Sequence, residues 1–323
     1  MTLGTYLATA VVRQSRKHET HGNAYLVDLD TGQHRRVIEW DDPDIDWVGR
    51  GRERGLRGIA FYQDKVLIAA HNRVLVYTPD FALIDEIQSP LLGNLHEIAV
   101  EGSRLYLTST SFNSIIVYDF EFGRFTEGFW LRYSRLGRRM RKMGLRPTPR
   151  VSRFDPEGDD LPPPGGHLHI NSVYRDAGRT LVSGTRMGRL MAIENGQGSA
   201  VGKIPFLTHN AKHYRGGIIC NDTSQHRIAR FDLGLKPVEV FDTPAVDMSN
   251  VVVDKTNKVI AVEGFARGLV VEEDGLVVGG ASPSSGSAYR LGDPSPITTV
   301  HLSDDVMNSV HGLARWPYGQ VSF

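Results

Sequence analysis

Short apolar runs separated by turn residues fill the chain, and one pattern of them recurs. It starts, in most copies, with an apolar residue, continues with His or Arg, and then becomes rich in apolar positions. The copies are Leu56–Phe61, Leu95–Val100, Leu168–Val173, Thr208–His213, Ala266–Val271 and Val310–Arg315. A second β-rich run follows a turn: Val66–Ala70 matches Leu105–Ser109, Thr180–Gly184, Ile218–Asp222 and Leu276–Gly280. Third runs are Val74–Tyr77, Ile115–Asp119, Arg189–Ile193, Arg227–Asp232 and Ala288–Leu291. Continuous or alternating apolar runs of this length, rich in β-branched residues and bounded by turn residues, predict strands. A four-stranded unit of about 40 residues is the period of a propeller blade. The gaps from His96 to His169 and from His209 to Arg267 are each one blade plus an insertion.

The sixth copy lies near the C-terminus with no room for a full blade after it. The segments Tyr6–Val12, Ala24–Leu29 and Arg35–Trp40 supply the missing strands. The chain is therefore expected to be all-β, a six-bladed β-propeller formed by residues 1–323 as one domain. The strand around His311 pairs with Tyr6–Val12 and closes the ring, which removes an exposed sheet edge. Met248–Gly264 is read as an elaboration before the sixth blade, with a degenerate seventh blade as the alternative.

Composition narrows the class. Lys plus Arg and Asp plus Glu balance at 37 each in 323 residues, so no global field favours nucleic acid, and none is expected as a partner. The single cysteine, Cys220, cannot form an internal disulfide, which fits a reducing compartment. Met1–Val12 lacks a basic stretch before its short apolar run and reads as a strand, not a signal peptide. No apolar run reaches the ~18 residues of a membrane helix. These features point to a cytoplasmic protein.

Candidate chemistry follows from the repeat. Strand A lies innermost in a propeller blade, so residues opening each copy gather near the axis on one face. That places His96, His169, His209 and His311 there, with Arg57 and Arg267 at the equivalent positions of the other two blades. Neutral imidazole is a common ligand for Fe, Zn and Cu, and Mn is a further candidate. The leading expectation is a divalent transition metal held by these four histidines. At least three imidazoles should then lie within about 5 Å of a common point, given ~2.1 Å metal–nitrogen bonds. Glu97, His167 and His213 are the candidate acid–base residues. Arg57, Arg267, His71 and Arg186 are the candidates for binding a small anionic or polar substrate, with Ser111, Gln225 and Ser282 on the same rim. The reaction is left open among oxygenase, lyase and hydrolase. Two other readings stand beside this one: a metal-free His/Arg pocket that binds an anion without catalysis, and a repeated structural histidine.

Residues 129–166 interrupt the repeat. Arg132, Arg135, Arg138, Arg139, Arg141, Lys142, Arg146, Arg150 and Arg153 occur there between Phe129 and Phe154 with no acid among them. Phe129, Tyr133, Leu136, Met140 and Met143 recur with helical spacing and predict an amphipathic helix with those residues turned toward protein. A Pro-rich run, Leu161–Gly166, leads into His167. The insertion is expected on the histidine face as a lid, an anion-binding arm, or a contact for an acidic partner or anionic membrane through residues 129–153. As a lid, it would lose anion binding and salt dependence on replacement of Arg138, Arg139 and Arg141. The acidic loop Asp41–Asp46 is expected on the same face.

Gly264–Leu269, Leu207–His209 and Gly166–His169 resemble the signatures of an uncharacterised bacterial β-propeller family, a domain of unknown function, over most of the chain. That resemblance implies the fold and no activity. Four axial histidines also make the chain similar, by analogy only, to carotenoid-cleaving oxygenases, which hold iron with four histidines. Six-bladed gluconolactonase-like and strictosidine-synthase-like proteins share the blade number, and no carboxylate and Asn ligand set like that of the former is seen here. Fold-level analogy does not transfer chemistry.

Overall fold

A computed structural model describes residues 2–13, 15, 18–42, 55–244, 264–319, 321 and 323. Six antiparallel sheets form six blades. Blade 1 joins the chain ends: Asn308–Arg315 is innermost, followed outward by Thr5–Val12, Gly22–Asp28 and His34–Trp40. Its seam runs from Tyr6↔Arg315 to Val12↔Asn308, as expected from the unpaired sixth repeat. Blade 2 starts with Ile59–Tyr62, blade 3 with Leu95–Glu101, blade 4 with Ile170–Asp176, blade 5 with His209–Tyr214 and blade 6 with Arg267–Val271.

The second strands are continuous apolar runs because both of their faces are buried. In Lys65–Ala69, Val66 and Ile68 pack toward blade 1, while Leu67 and Ala69 pack toward blade 3. Each apolar cluster in this way seals one seam between neighbouring blades, and Cys220 is a buried member of the seam between blades 4 and 5. Outer strands such as Leu83–Gln88 and Gln197–Lys203 bury little.

Polar bonds tie adjacent blades near the axis. Thr9 Oγ1 donates to the Arg57 carbonyl, Thr110 Oγ1 to that of Ile170, and Thr223 Oγ1 to that of Ala266. Gly58 N donates to the His96 carbonyl at 2.9 Å. A Cβ at Gly58 would lie 2.5 Å from that oxygen, so only glycine permits this approach. The stretch Met248–Gly264 lies, apart from Gly264, outside the described residues. Blades 5 and 6 are nevertheless direct neighbours, since Asn221 Nδ2 donates to the Gly268 carbonyl at 3.2 Å and Ile219 and Ile228 pack with Leu269 and Val277.

The insertion differs from the sequence expectation. Phe129 belongs to the outer strand Arg124–Arg132 of blade 3, and Arg150–Phe154 adds a fifth strand beyond it. The helix, α1, covers only Arg135–Lys142, because Ser134 caps it by accepting from Gly137 N at 3.0 Å. Phe129 and Tyr133 are buried as expected. Leu136 and Met143 are 66% and 68% exposed, contrary to expectation, because α1 turns its small residue, Gly137, to the protein.

Candidate functional site: a ring of imidazoles on the axis

A β-bulge lies near the start of every inner strand except that of blade 2. His311 is the extra residue between the pairs Val310↔Ala10 and Gly312↔Thr9. His96 and Glu97 fall between Leu95↔Ser109 and Ile98↔Leu107, and blades 4, 5 and 6 break register after Ile170, His209 and Arg267. Bulges re-aim side chains, and those of blades 1 and 3 carry His311 and His96 themselves, while His169 and His209 stand just ahead of the bulges in their strands. Ring centroids lie 5.1 Å apart for His96 and His169, 5.2 Å for His96 and His311, and 6.2 Å for His209 and His311. His96, His209 and His311 are buried, and His169 is half-buried.

Two of these rings have a fixed tautomer. His96 Nδ1 lies 2.9 Å from the Asn94 carbonyl and 3.0 Å from Thr110 Oγ1. A carbonyl only accepts, and the Thr110 hydroxyl spends its proton on the Ile170 carbonyl, so Nδ1 must be the donor. His209 repeats this arrangement: its Nδ1 faces the Leu207 carbonyl at 3.2 Å and Thr223 Oγ1 at 3.0 Å, while that hydroxyl donates to Ala266 at 2.9 Å. In the neutral ring, Nε2 is then a bare acceptor. His209 Nε2 and both ring nitrogens of His311 are buried and make no hydrogen bond.

The surroundings keep the rings neutral. Burial first, then the charges of Arg57 and Arg267 and the neighbouring histidines, hold His96 and His311 well below the usual imidazole range. For His209, burial leads, followed by Arg267 and His169, with Arg13 also contributing. Arg57 is buried; its Nη1 donates to Asn94 Oδ1 at 2.7 Å and to the Leu95 carbonyl at 2.5 Å. Its positive charge lies 3.4 Å from His96 Nδ1, and like-charge repulsion disfavours a protonated ring. Arg267 stacks on Phe265 at 4.7 Å, and Arg13 stacks on the same ring at 4.9 Å while donating to Ser309 Oγ at 3.2 Å. Burial lowers Arg13 to about 10, which leaves it charged at neutral pH.

The other expected residues have the following surroundings. Glu97 is next to His96 in sequence but interacts with Lys212 and Asn210; burial raises its carboxyl to about 7, partly offset by those two partners. Lys212, lowered by burial, donates to the Leu269 carbonyl at 2.9 Å and sits 5.1 Å over the Tyr174 ring. His213 faces Asp176 at 3.6 Å, four residues along the strand from His209. His167 is exposed, with Nδ1 2.7 Å from the Gly165 carbonyl. Arg186 is exposed, and its backbone accepts from Arg141 Nε at 3.1 Å. His71 is half-buried, and its carbonyl accepts from Leu95 N at 3.0 Å. Among the described residues, no group of three or more His, Cys, Asp or Glu side chains is arranged to hold a metal ion. The imidazoles cluster, but their donor atoms do not form a ready coordination set.

Sequence reasoning missed Arg13, Thr110 and Thr223. The threonines carry a signal in hindsight: each lies 14 residues after its histidine, at the end of the second strand. It also missed Ser15, whose Oγ lies 2.8 Å from His21 Nδ1, with Asp41 3.3 Å from Nε2. Ser15 and His21 are buried, and Asp41 is exposed.

No family model matches the sequence, and no curated protein matches it. Among solved structures, the chain is similar to a protein of unknown function from Bacteroides caccae, with a TM-score of 0.54 and 9% identity, covering 96% of this chain and 98% of that one. It is also similar to a catalytically inactive virginiamycin B lyase from Staphylococcus aureus solved with quinupristin, with a TM-score of 0.46 and 11% identity, covering 77% and 71% of the two chains. A nidogen/laminin complex gives a TM-score of 0.40 at 13% identity over 74% and 94%. Likeness at such identity shows the fold alone. It agrees with the resemblance to an uncharacterised propeller family.

Proposed function

We propose that the axial ring binds a small anion that also carries hydroxyl or N–H groups, such as a hydroxycarboxylate, sugar acid or phosphorylated alcohol. The observation that carries this is the fixed tautomer. Two backbone-anchored imidazoles offer bare Nε2 acceptors beside the guanidinium groups of Arg13, Arg57 and Arg267. The lone pairs take the ligand's protons, and the guanidinium groups take its charge. A neutral imidazole that accepts a ligand proton is also a general base, so the chemistry open to the site is proton abstraction, of the lyase or hydrolase kind.

A second reading is a transition metal on the ring. The buried, unbonded nitrogens of His209 and His311 favour it, as does the Nδ1 anchoring of His96 and His209, which is how metal-binding histidines are commonly held. The donor chemistry fits, although the rings would have to draw together. His96, His209 and His311, with His169, would hold the ion, and it would supply Lewis acidity toward the bound anion.

Calorimetry with hydroxycarboxylates, sugar acids and sugar phosphates tests the first reading. Binding should weaken at least tenfold in Arg267→Gln and in His209→Ala, since each loses a charge-assisted or buried contact of about 1.5–3 kcal/mol. No binding by any of these compounds, or binding indifferent to both changes, overturns it. Elemental analysis of protein purified without a His tag separates the two readings. A near-stoichiometric transition metal that His96→Ala removes favours the metal, and none after reconstitution leaves the metal-free site.

A further inference from the structure

Helix α1 is inside out. Successive helical residues turn by about 100°. Gly137 is buried, and Arg141 and Arg138 turn back to the protein, donating to the carbonyls of Arg186 and Tyr133 at 3.1 and 3.3 Å. Leu136 and Met143, seven positions apart, lie on the opposite side and point to water. Arg135, Arg139 and Lys142 are exposed beside that apolar stripe. Leu145, just past the helix, is 47% exposed. Among the described residues, no salt bridge involves Arg135, Arg138, Arg139, Arg141, Lys142, Arg146 or Arg150. A chain with no net charge therefore concentrates unpaired cations around exposed aliphatic side chains in one place.

We propose that α1 docks this protein on an anionic lipid surface, with Leu136 and Met143 entering the acyl boundary and Arg135, Arg139 and Lys142 meeting headgroup phosphates. Charge complementarity selects the occupant. A lipid surface receives apolar tips and cations at adjoining depths and asks for no shape match. An acidic protein would need a formed pocket for each of two flexible side chains. No helix of the described residues is long and apolar enough to cross a membrane, so the contact is peripheral. It also has a direction. Arg141 holds the Arg186 carbonyl, Arg186 N bonds the Leu168 carbonyl at 3.2 Å, and Thr185 N bonds that of His169 at 3.1 Å. The docking helix is thus one loop away from the axial ring, and docking would set the ring's face toward the lipid.

Sedimentation of the full chain with vesicles tests this. One set is phosphatidylcholine alone, and the other is phosphatidylcholine mixed with phosphatidylglycerol. The expected result is binding to the second set only, weakened by salt. Arg135→Gln, Arg139→Gln and Lys142→Gln should each weaken it about fivefold, the factor set by about 1 kcal/mol per cation at such a surface. Leu136→Glu with Met143→Glu should abolish it. All variants should melt as wild type does, since these side chains are exposed. A wild-type chain that stays in the supernatant with both vesicle sets overturns the proposal and leaves the stripe to an acidic protein. Binding that survives Leu136→Glu with Met143→Glu overturns it too.

Discussion

The axial ring and helix α1 break the rule of apolar inside and polar outside in opposite directions. The ring buries three imidazoles and the Arg57 guanidinium where the blades converge, with His169 half-buried beside them, and α1 shows Leu136 and Met143 to water. A scattered exposed apolar residue or a lone satisfied polar group would mean little; what carries information is a buried polar cluster or an exposed apolar stripe. The two deviations also differ in cost. In the ring, Asn94, Thr110 and Thr223 anchor the rings to backbone, so the inward nitrogens cannot turn away to find partners. In α1 nothing is strained: a capped single helix lies against one loop, and its apolar side costs only exposure. The first is built into the inner strands of the fold, the second is a surface that can be altered without touching it.

Acid should break the ring first. Three imidazoles have folded-state values held below the unfolded value of about 6.5. The unfolded chain then binds more protons, so their stability contribution is complete above about pH 6.5 and falls as pH drops below it. Each imidazole can contribute a limiting slope of about 1.4 kcal/mol per pH unit. Glu97 acts in the opposite sense: its raised value, about 7, adds stability that is present below the unfolded value and lost as pH rises through 7. Denaturant midpoints from pH 7 to pH 5 should fall in wild type, fall less in His96→Gln with His209→Gln, and fall more steeply in Glu97→Gln. A pH-independent midpoint would show that the histidines are not held neutral by the fold.

Sterics at the axis come next. Gly58→Val places a branched side chain against the His96 carbonyl and should cost roughly 3 kcal/mol, the upper end for overpacking. A melting temperature within a degree of wild type would show that the inner strands are not packed this closely.

Legibility divides along the same line. The blades could be read because burial of both faces writes continuous apolar runs, and the unpaired copy at His311 gave the seam with Tyr6–Val12. The gathering of His96, His169, His209 and His311 followed from the repeat. Its anchoring did not, because Thr110 and Thr223 reach their histidines across a bulge that no alternation pattern encodes. His213 shares a strand with His209, but four residues at about 3.3 Å each carry it well away from the ring. In α1, helical spacing was present, but spacing says which residues share a side and not which side faces inward. Gly137, the small residue opposite the stripe, was the sign of the helix's orientation. The fifth strand Arg150–Phe154 was hidden by its arginines, which an outermost strand tolerates on its open edge. The loop Asp41–Asp46 lies beyond Asp42 outside the described residues.

A hydroxyl deletion sharpens the comparison at smaller cost. Thr223→Val keeps the shape but removes the acceptor for His209 Nδ1 and the donor to the Ala266 carbonyl. The expected loss is about 1–3 kcal/mol of stability. Nitrogen chemical shifts of His209 should show the Nδ1–H form in wild type and a mixed population in the variant. An unchanged tautomer would mean that the Leu207 carbonyl alone fixes the ring.

The smallest effect belongs to α1, and its smallness is the point. Leu136→Ser with Met143→Ser removes two large apolar side chains, which in a blade seam would cost several kcal/mol. Both are exposed here, so the folded state loses almost no burial, and stability should stay within about 0.5 kcal/mol of wild type. Anion binding at the ring should not change either, because the tie from α1 to the axis runs through the Arg141 guanidinium and the Arg186 backbone, which the double variant keeps. Solubility should rise as the exposed apolar area falls. A melting temperature lowered by several degrees would show instead that these side chains bury against the protein in solution. The helix would then be ordinary in its orientation, and the contrast with the ring would disappear.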